Sequence, residues 1–200
     1  MREKARFLID ADGVIVDFVE AFMMLYRHHG GTVPDGFEWT HWDSMDELPD
    51  QEVRKHVWRD PELFWVPRPY EGAIEALEIL NEHYDVRIVT ALPHRHVPAR
   101  SEWFRRYAPF IHRKNQMIFT NDKRIIKGDA IVDDKLEHVY NWLHANGGTG
   151  FIINRPWNGI IHDPPLGHMV RGNKIRVDEL MGMVELLGMT VGRKYVVDTD

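Results

Sequence analysis

The sequence predicts an α/β fold: a parallel sheet covered by helices on both faces, with a small helical segment inserted after the first strand. Three observations carry this expectation. Short apolar runs alternate along the chain with stretches whose apolar residues recur at helical spacing. The runs are almost continuously apolar, as strands buried on both faces must be. Residues 32–66 break the alternation, holding Phe37, Trp39, Trp42, Trp58, Phe64 and Trp65 but no long apolar strand.

In chain order, Phe7-Leu8-Ile9 reads as the first strand. Phe18, Ala21, Phe22 and Leu25 define the next helix face, which ends near His28-His29-Gly30-Gly31, where glycine supplies a left-handed cap. A helix follows over about Asp50–Arg59, after Pro49 and stopped by Pro61. Pro67-Arg68-Pro69-Tyr70 is a stiff connector. Ala73, Ile74, Leu77 and Leu80 make another helix face, and Val86–Val89 the second strand, ending in Thr90-Ala91. Pro98 opens a helix carrying Trp103, Phe104 and Tyr107. Met117–Phe119 is the third strand and Ala130–Val132 the fourth, ending in Asp133-Asp134. Leu136–Ala145 is helical, Gly147–Gly150 is a helix-to-strand turn, and Phe151–Ile153 is the fifth strand. Pro156–Lys174 reads as a long loop, after which Asp178 caps a closing helix with Leu180, Met181, Val184 and Leu187 on one face. That face is read as core-facing, with a homodimer contact as the alternative. The expected division is a core of residues 1–16 and 67–200 with an inserted helical cap of residues 17–66.

Composition bounds the function. The 200 residues are 44% hydrophobic and 28% charged, enough for a real core. A net charge of −6 leaves no electrostatic footprint for duplex nucleic acid or a membrane surface. No cysteine is present, so disulfides, thiolate metal sites and a cysteine nucleophile are excluded. No apolar run approaches the ~20 residues that span a bilayer, and a cytoplasmic globular protein is the expectation.

The chemistry gathers where the strands stop. Asp10 and Asp12 emerge at the end of the first strand, before Gly13, and two acids so close repel unless a cation or proton lies between them. Thr90 ends the second strand, Lys123 follows the third, and Asp133-Asp134 end the fourth. Parallel strands bring these ends to one edge, the edge where open α/β sheets bind ligands. Clustered carboxylates without thiolates suit a hard, oxygen-loving ion such as Mg²⁺. A lysine and a threonine beside them suit a phosphate.

These residues, Asp10-Ala11-Asp12-Gly13-Val14, Thr90, a basic residue and Asp133-Asp134, resemble the pattern of the haloacid dehalogenase (HAD) superfamily of phosphatases. Within it the chain is similar to the 5'(3')-deoxyribonucleotidases, on Asp10–Phe18, the Asp122-Lys123 to Asp133-Asp134 segment, and Trp58 followed by Phe64 and Gly72-Ala73. The match runs from residue 7 to about 154. It implies a Rossmann-like HAD core and hydrolysis of deoxyribonucleoside monophosphates through an aspartyl-phosphate. By the same resemblance Asp10 is the nucleophile and Asp12 the general acid/base. Mg²⁺ is held by Asp10, the Asp12 carbonyl and Asp134, with Asp133 direct or through water; Thr90, the Ala91 N–H and a basic side chain grip the phosphate. For that side chain Lys123 ranks first, Arg100 (where the family has a lysine) second and Lys127 third. Phe18, Trp39, Trp58 and Phe64 are expected to form an aromatic box over the base. The sequence leaves open another small phosphomonoester substrate, a phosphotransferase using the same residues, and a non-catalytic nucleotide-binding domain.

Twelve histidines do not by themselves make a zinc site. His94-x-His96 and His162 to His168 lack cysteine partners and helical i, i+4 pairs, so neither is read as ligating. His94–His96 are expected to rim the mouth of the site.

Overall fold

The computed structural model describes residues 4–159 and 173–189. Among them, six strands form one parallel sheet in the order β3-β2-β1-β4-β5-β6. The strands are β1 (Arg6–Ile9), β2 (Asp85–Thr90), β3 (Met117–Phe119), β4 (Ala130–Asp133), β5 (Thr149–Ile153) and β6 (Asn173–Val177). Helices α1 (Phe18–His28), α2 (Gln51–Arg59) and α3 (Glu62–Trp65) lie between β1 and β2 in the chain, followed by α4 (Ala73–His83). Then come α5 (Val97–Tyr107), α6 (Arg113–Gln116), α7 (Leu136–Asn146) and α8 (Leu180–Leu186).

The period-2 alternation of strand side chains divides the core into two layers. Leu8, Ile131 and Ile152 face α7 and pack on Val139, Trp142 and Leu143. Phe7, Ile9, Val86, Ile88, Val132, Phe151 and Ile153 point the other way, onto Leu77 and Leu80 of α4, Trp103 and Phe104 of α5, and Leu180, Met183 and Val184 of α8. Each such fully buried side chain contributes roughly 1.5–3 kcal/mol of hydrophobic stabilisation. The closing helix thus spends its apolar face inside the chain, against α4.

Two expectations are corrected. The tail after β5 is not one loop up to Lys174: Pro156–Asn158 is a 3₁₀ turn, and Asn173–Val177 is the sixth strand, paired in register with β5. The strand escaped notice because Asn173-Lys174-Ile175-Arg176-Val177 alternates polar and apolar residues, as an edge strand can, while the buried strands are apolar runs. Asp178 does not cap α8; its Oδ1 accepts from Asn154 Nδ2 at 2.7 Å, and Glu179 occupies the cap position without a side-chain bond. His162 and His168 lie outside the described residues.

Residues 17–66 contain a third apolar cluster of their own: Phe22, Leu25, Tyr26, Leu48, Val57, Leu63 and Phe64. Asp17 opens α1 by accepting from Glu20 N–H at 3.0 Å, which satisfies one of the orphan donors of the first turn. Leu92 and Ala99 of the sheet-bearing part pack against this cluster.

Candidate active site

The chain runs from β1 out through β2 to β3, then returns to the other side of β1 for β4. This reversal makes the β1/β4 junction a topological switch point, where the loops leaving the strands diverge and open a crevice. Asp10 stands there, its N–H still donating to Val132 O of β4 at 2.9 Å. The next turn is tight: Ala11 O accepts from the N–H groups of Ile15 and Val16, and Gly13 N–H donates to Val16 O. Gly13 takes φ +75°, and a Cβ there would overlap the Asp134 carboxylate, with Oδ1 at 2.9 Å and its other atoms nearer still. Only glycine both accepts that φ and lets the first acidic loop lie flush on the second.

Lys123 enters from the 3₁₀ turn after β3, a turn closed by Asp122 Oδ1 accepting from Arg124 N–H at 3.1 Å. Its Nζ lies 2.8 Å from Asp10 Oδ2 and 2.6 Å from Asp133 Oδ2, with all three side chains nearly sealed from solvent. Asp133 is held further by His138 Nδ1 at 3.1 Å and by the Lys135 N–H at 2.8 Å. Oxygens of Asp10 and Asp133 and a ring nitrogen of His138 converge closely enough to ligate an ion, but the Lys123 ammonium already supplies the cation at this spot. Burial raises the Asp133 carboxyl, yet Lys123 and His138 together hold it down at about 2. Asp10, buried and beside Asp133, is pushed up to about 6 against the pull of Lys123.

Asp134 differs. Its Oδ2 accepts from Trp157 Nε1 at 2.7 Å, while the Asn158 side chain donates to its carbonyl at 2.6 Å. Its Oδ1 is buried and has no hydrogen-bond partner. Burial and the neighbouring charges of Asp133 and Asp10 raise its pKa well above the usual carboxylate range. A buried, unsatisfied carboxylate oxygen is costly, and a hard cation between Asp10 and Asp134 would satisfy it with oxygen donors of the kind Mg²⁺ takes. The residues present fit such an ion.

Asp12 pairs with Arg100 of α5, whose guanidinium is fully buried between the rings of Phe64 and Trp103. Burial raises the Asp12 carboxyl while Arg100 opposes that rise. Arg100, second choice as a phosphate grip, thus meets an acid of the site first. Lys127 is brought nowhere near: it is exposed and donates to Asn146 Oδ1 at 2.8 Å. Thr90, at the end of β2, is buried with its Oγ1 unpartnered and lines the cavity beside Ala91.

The cavity measures about 430 Å³ and joins two unlike surfaces. Asp10, Asp12, Asp134, Thr90 and Ala91 line it together with Phe18, Trp39, Trp58 and Phe64. Phe18 is the hub of the aromatic rings, 5.5 Å from Trp58 and 6.2 Å from Phe64 between ring centroids. Trp39 joins through Phe22, 5.6 Å away. Met45, whose Sδ accepts from Trp58 Nε1 at 2.8 Å, also faces in, as do Trp42, Asn121, Lys135, His138 and Trp157.

Sequence reasoning missed several of these. Trp157 and Asn158 sit in a stretch read as loop; the available signal was their place just past the fifth strand, on the same sheet edge. His138 falls five residues after Asp133, in the first turns of α7, where a side chain can reach back to the acid. His96 does not rim the mouth: it is buried, stacked on Phe64 at 4.5 Å, and bonds Trp58 O at 3.1 Å. With Arg95, which donates to the same carbonyl at 3.2 Å, it backs the aromatic wall from behind.

Known proteins resemble this chain in sequence and in fold. A relative from Homo sapiens, the cytosolic type 5'(3')-deoxyribonucleotidase, is 26% identical over 165 residues, covering 72% of this chain and 80% of that one. A Bordetella pertussis protein named for 5'(3')-deoxyribonucleotidase activity is 29% identical over 136 residues, covering 64% of this chain and 73% of that one. Among solved structures, a HAD-type hydrolase of Bacillus subtilis bound to magnesium superposes with a TM-score of 0.60 at 14% identity, covering 94% of this chain and 100% of that one. A haloacid dehalogenase-like hydrolase of Burkholderia xenovorans does so with a TM-score of 0.54 at 16% identity, covering 92% and 96%. At these identities the structures speak for the fold alone. The model of the family "5' nucleotidase, deoxy (Pyrimidine), cytosolic type C protein" matches residues 4–166, and with it the chain belongs to that family: a phosphoric monoester hydrolase on the HAD fold.

Proposed function

We propose that the protein is a Mg²⁺-dependent phosphatase that hydrolyses deoxyribonucleoside monophosphates to deoxynucleoside and phosphate through an aspartyl-phosphate on Asp10. The observation that carries this reading is one cavity lined both by acids with a free hydroxyl and by a box of aromatic rings. A phosphate seated at the acids leaves the base to stack on the rings, which suit any flat π-face. Residues 17–66 act in this reading as a cap that supplies the aromatic box, and a cytoplasmic setting accords with the cysteine-free composition.

Phosphate monoesters are among the slowest bonds to hydrolyse unaided, and a carboxylate nucleophile divides the reaction in two. Asp10 attacks phosphorus. Burial pushes its carboxyl up to about 6, so a nearby cation favours the ionised, nucleophilic form; Lys123 does part of this, and Mg²⁺, held by Asp10, the Asp12 carbonyl and Asp134, would supply the remaining charge neutralisation. Asp12, raised by burial, carries a proton to the leaving ester oxygen and then takes one from the attacking water. Arg100 holds the Asp12 carboxyl in place for both transfers. Thr90 donates its free hydroxyl, and Ala91 its N–H, to the phosphoryl oxygens. Asp133, its oxygens engaged by Lys123, His138 and the Lys135 N–H, fixes the lysine beside Asp10 and would add negative charge next to a bound ion.

The test is phosphate release from a panel of nucleoside and sugar monophosphates, with and without EDTA. Deoxyribonucleoside monophosphates should be turned over at least tenfold more efficiently than sugar phosphates, and EDTA should abolish turnover. Equal rates across the panel would remove the nucleotide from the reading; turnover in EDTA would remove the metal.

A further inference from the structure

Outside the cavity lining, residues 17–66 hold a second group of metal-ligating side chains. His29, His56 and Asp60 each offer one ligand atom, and these atoms lie within 4.8 Å of one another. His29 Nε2 stands 3.1 Å from Asp60 Oδ2, and the His29 and His56 rings are 4.4 Å apart at 72°. Asp60 Oδ1 is occupied in accepting from Glu62 N–H at 2.9 Å, which leaves Oδ2 facing the histidines. His56 and Asp60 stand four residues apart, about one helical turn, while His29 comes from another helix and no local spacing joins it to them. We infer that His29, His56 and Asp60 form a structural site for a borderline divalent ion of the Zn²⁺ class, fastening the end of α1 to the end of α2.

The donor set argues for this class. Two imidazoles and one carboxylate suit Zn²⁺, whereas Mg²⁺ prefers oxygen alone. With bonds of about 2.0–2.2 Å, tetrahedral ligand atoms lie about 3.3–3.6 Å apart. The His29–Asp60 pair is already near that spacing, and the exposed His56 ring is free to close the remainder by rotation. Place in the fold argues for it as well. His29 is the C-terminal cap of α1 and Asp60 that of α2, so two helix carbonyl ends converge on the cluster, and a cation is favoured at such ends. Because α1 carries Phe18 and Phe22 and α2 carries Trp58, an ion here would fix the spacing of the aromatic wall.

The experiment uses the full chain stripped with chelator and held in a large excess of Mg²⁺ to fill the acidic site. Zn²⁺ is titrated by calorimetry, Co²⁺ by its visible absorption, and thermal unfolding is followed with and without Zn²⁺. One Zn²⁺ equivalent should bind despite Mg²⁺, Co²⁺ should give a tetrahedral band, and saturating Zn²⁺ should raise Tm by roughly 5 °C or more. His56→Ala and Asp60→Asn should each weaken Zn²⁺ binding at least tenfold and abolish the Co²⁺ band, while His138→Ala leaves both intact. The inference is overturned if no Zn²⁺ binds in excess Mg²⁺, if His56→Ala binds it as wild type does, or if His138→Ala removes it.

Discussion

Replacing Gly13 with alanine puts the contact between the two acidic loops to its most direct test. Two costs follow from the structure. Alanine at φ +75° sits in the left-handed region, which costs an L-residue roughly 1–2 kcal/mol. The new methyl would overlap the Asp134 carboxylate, so that side chain must move. Moving it breaks the 2.7 Å bond from Trp157 Nε1, a buried hydrogen bond to a charged group of a kind that contributes about 1.5–3 kcal/mol. The expected destabilisation is about 2.5–5 kcal/mol, or a fall in Tm of roughly 5–20 °C for a chain of this size. Urea unfolding should show the midpoint drop with an unchanged m-value. Because Asp134 Oδ1 is the free oxygen proposed for the metal, the Mg²⁺ concentration giving half-maximal rate should rise in the fraction that remains folded. A loss under about 1 kcal/mol with an unaltered Mg²⁺ requirement would refute the claim that Gly13 is there to admit Asp134.

Further outcomes follow from the same geometry. Trp58→Ala should raise KM for deoxyribonucleoside monophosphates by tenfold or more while changing that for p-nitrophenyl phosphate much less; equal effects would make the rings mere packing. Trp157→Phe keeps the ring but removes the N–H that orients Asp134, and should weaken Mg²⁺ affinity by about 10–100-fold, raising the Mg²⁺ concentration needed for half-maximal rate, as loss of a ligand's orienting partner generally does. Lys123→Met leaves Asp10 and Asp133 buried without their cation; it should cost about 3–5 kcal/mol of stability and nearly all activity. Lys127→Ala, a surface change, should stay within about 0.5 kcal/mol and leave kcat unchanged.

Much of the fold could be read from residue order because the buried strands announce themselves. Phe7–Ile9, Val86–Val89 and Ala130–Val132 are apolar runs that end in polar residues, and parallel pairing then puts Asp10, Thr90 and Asp133-Asp134 on one edge. The edge strand β6 carries no such run, and the Pro- and Gly-rich stretch before it hides where the loop stops. Within the site, residue types were legible and pairings were not. Arg100 is a candidate phosphate ligand because it stands where the resembling family has a lysine; nothing in the sequence shows that its guanidinium lies buried against Phe64 and Trp103 and faces Asp12. The preference for Lys123 over Lys127 as a phosphate grip rests on family likeness; in the structure the Lys123 ammonium is sealed between two carboxylates and Lys127 lies on the surface. Trp157 acts across 23 residues and His56 across 27 from His29, distances at which a single sequence offers no periodicity to follow.

The assignment of Asp10 as nucleophile is tested most directly by Asp10→Asn, which keeps the side chain's size and removes its charge. Phosphate release from a deoxyribonucleoside monophosphate should fall by at least a thousandfold, while calorimetry still detects nucleotide binding through the intact aromatic wall. Retention of wild-type turnover by Asp10→Asn would contradict the account.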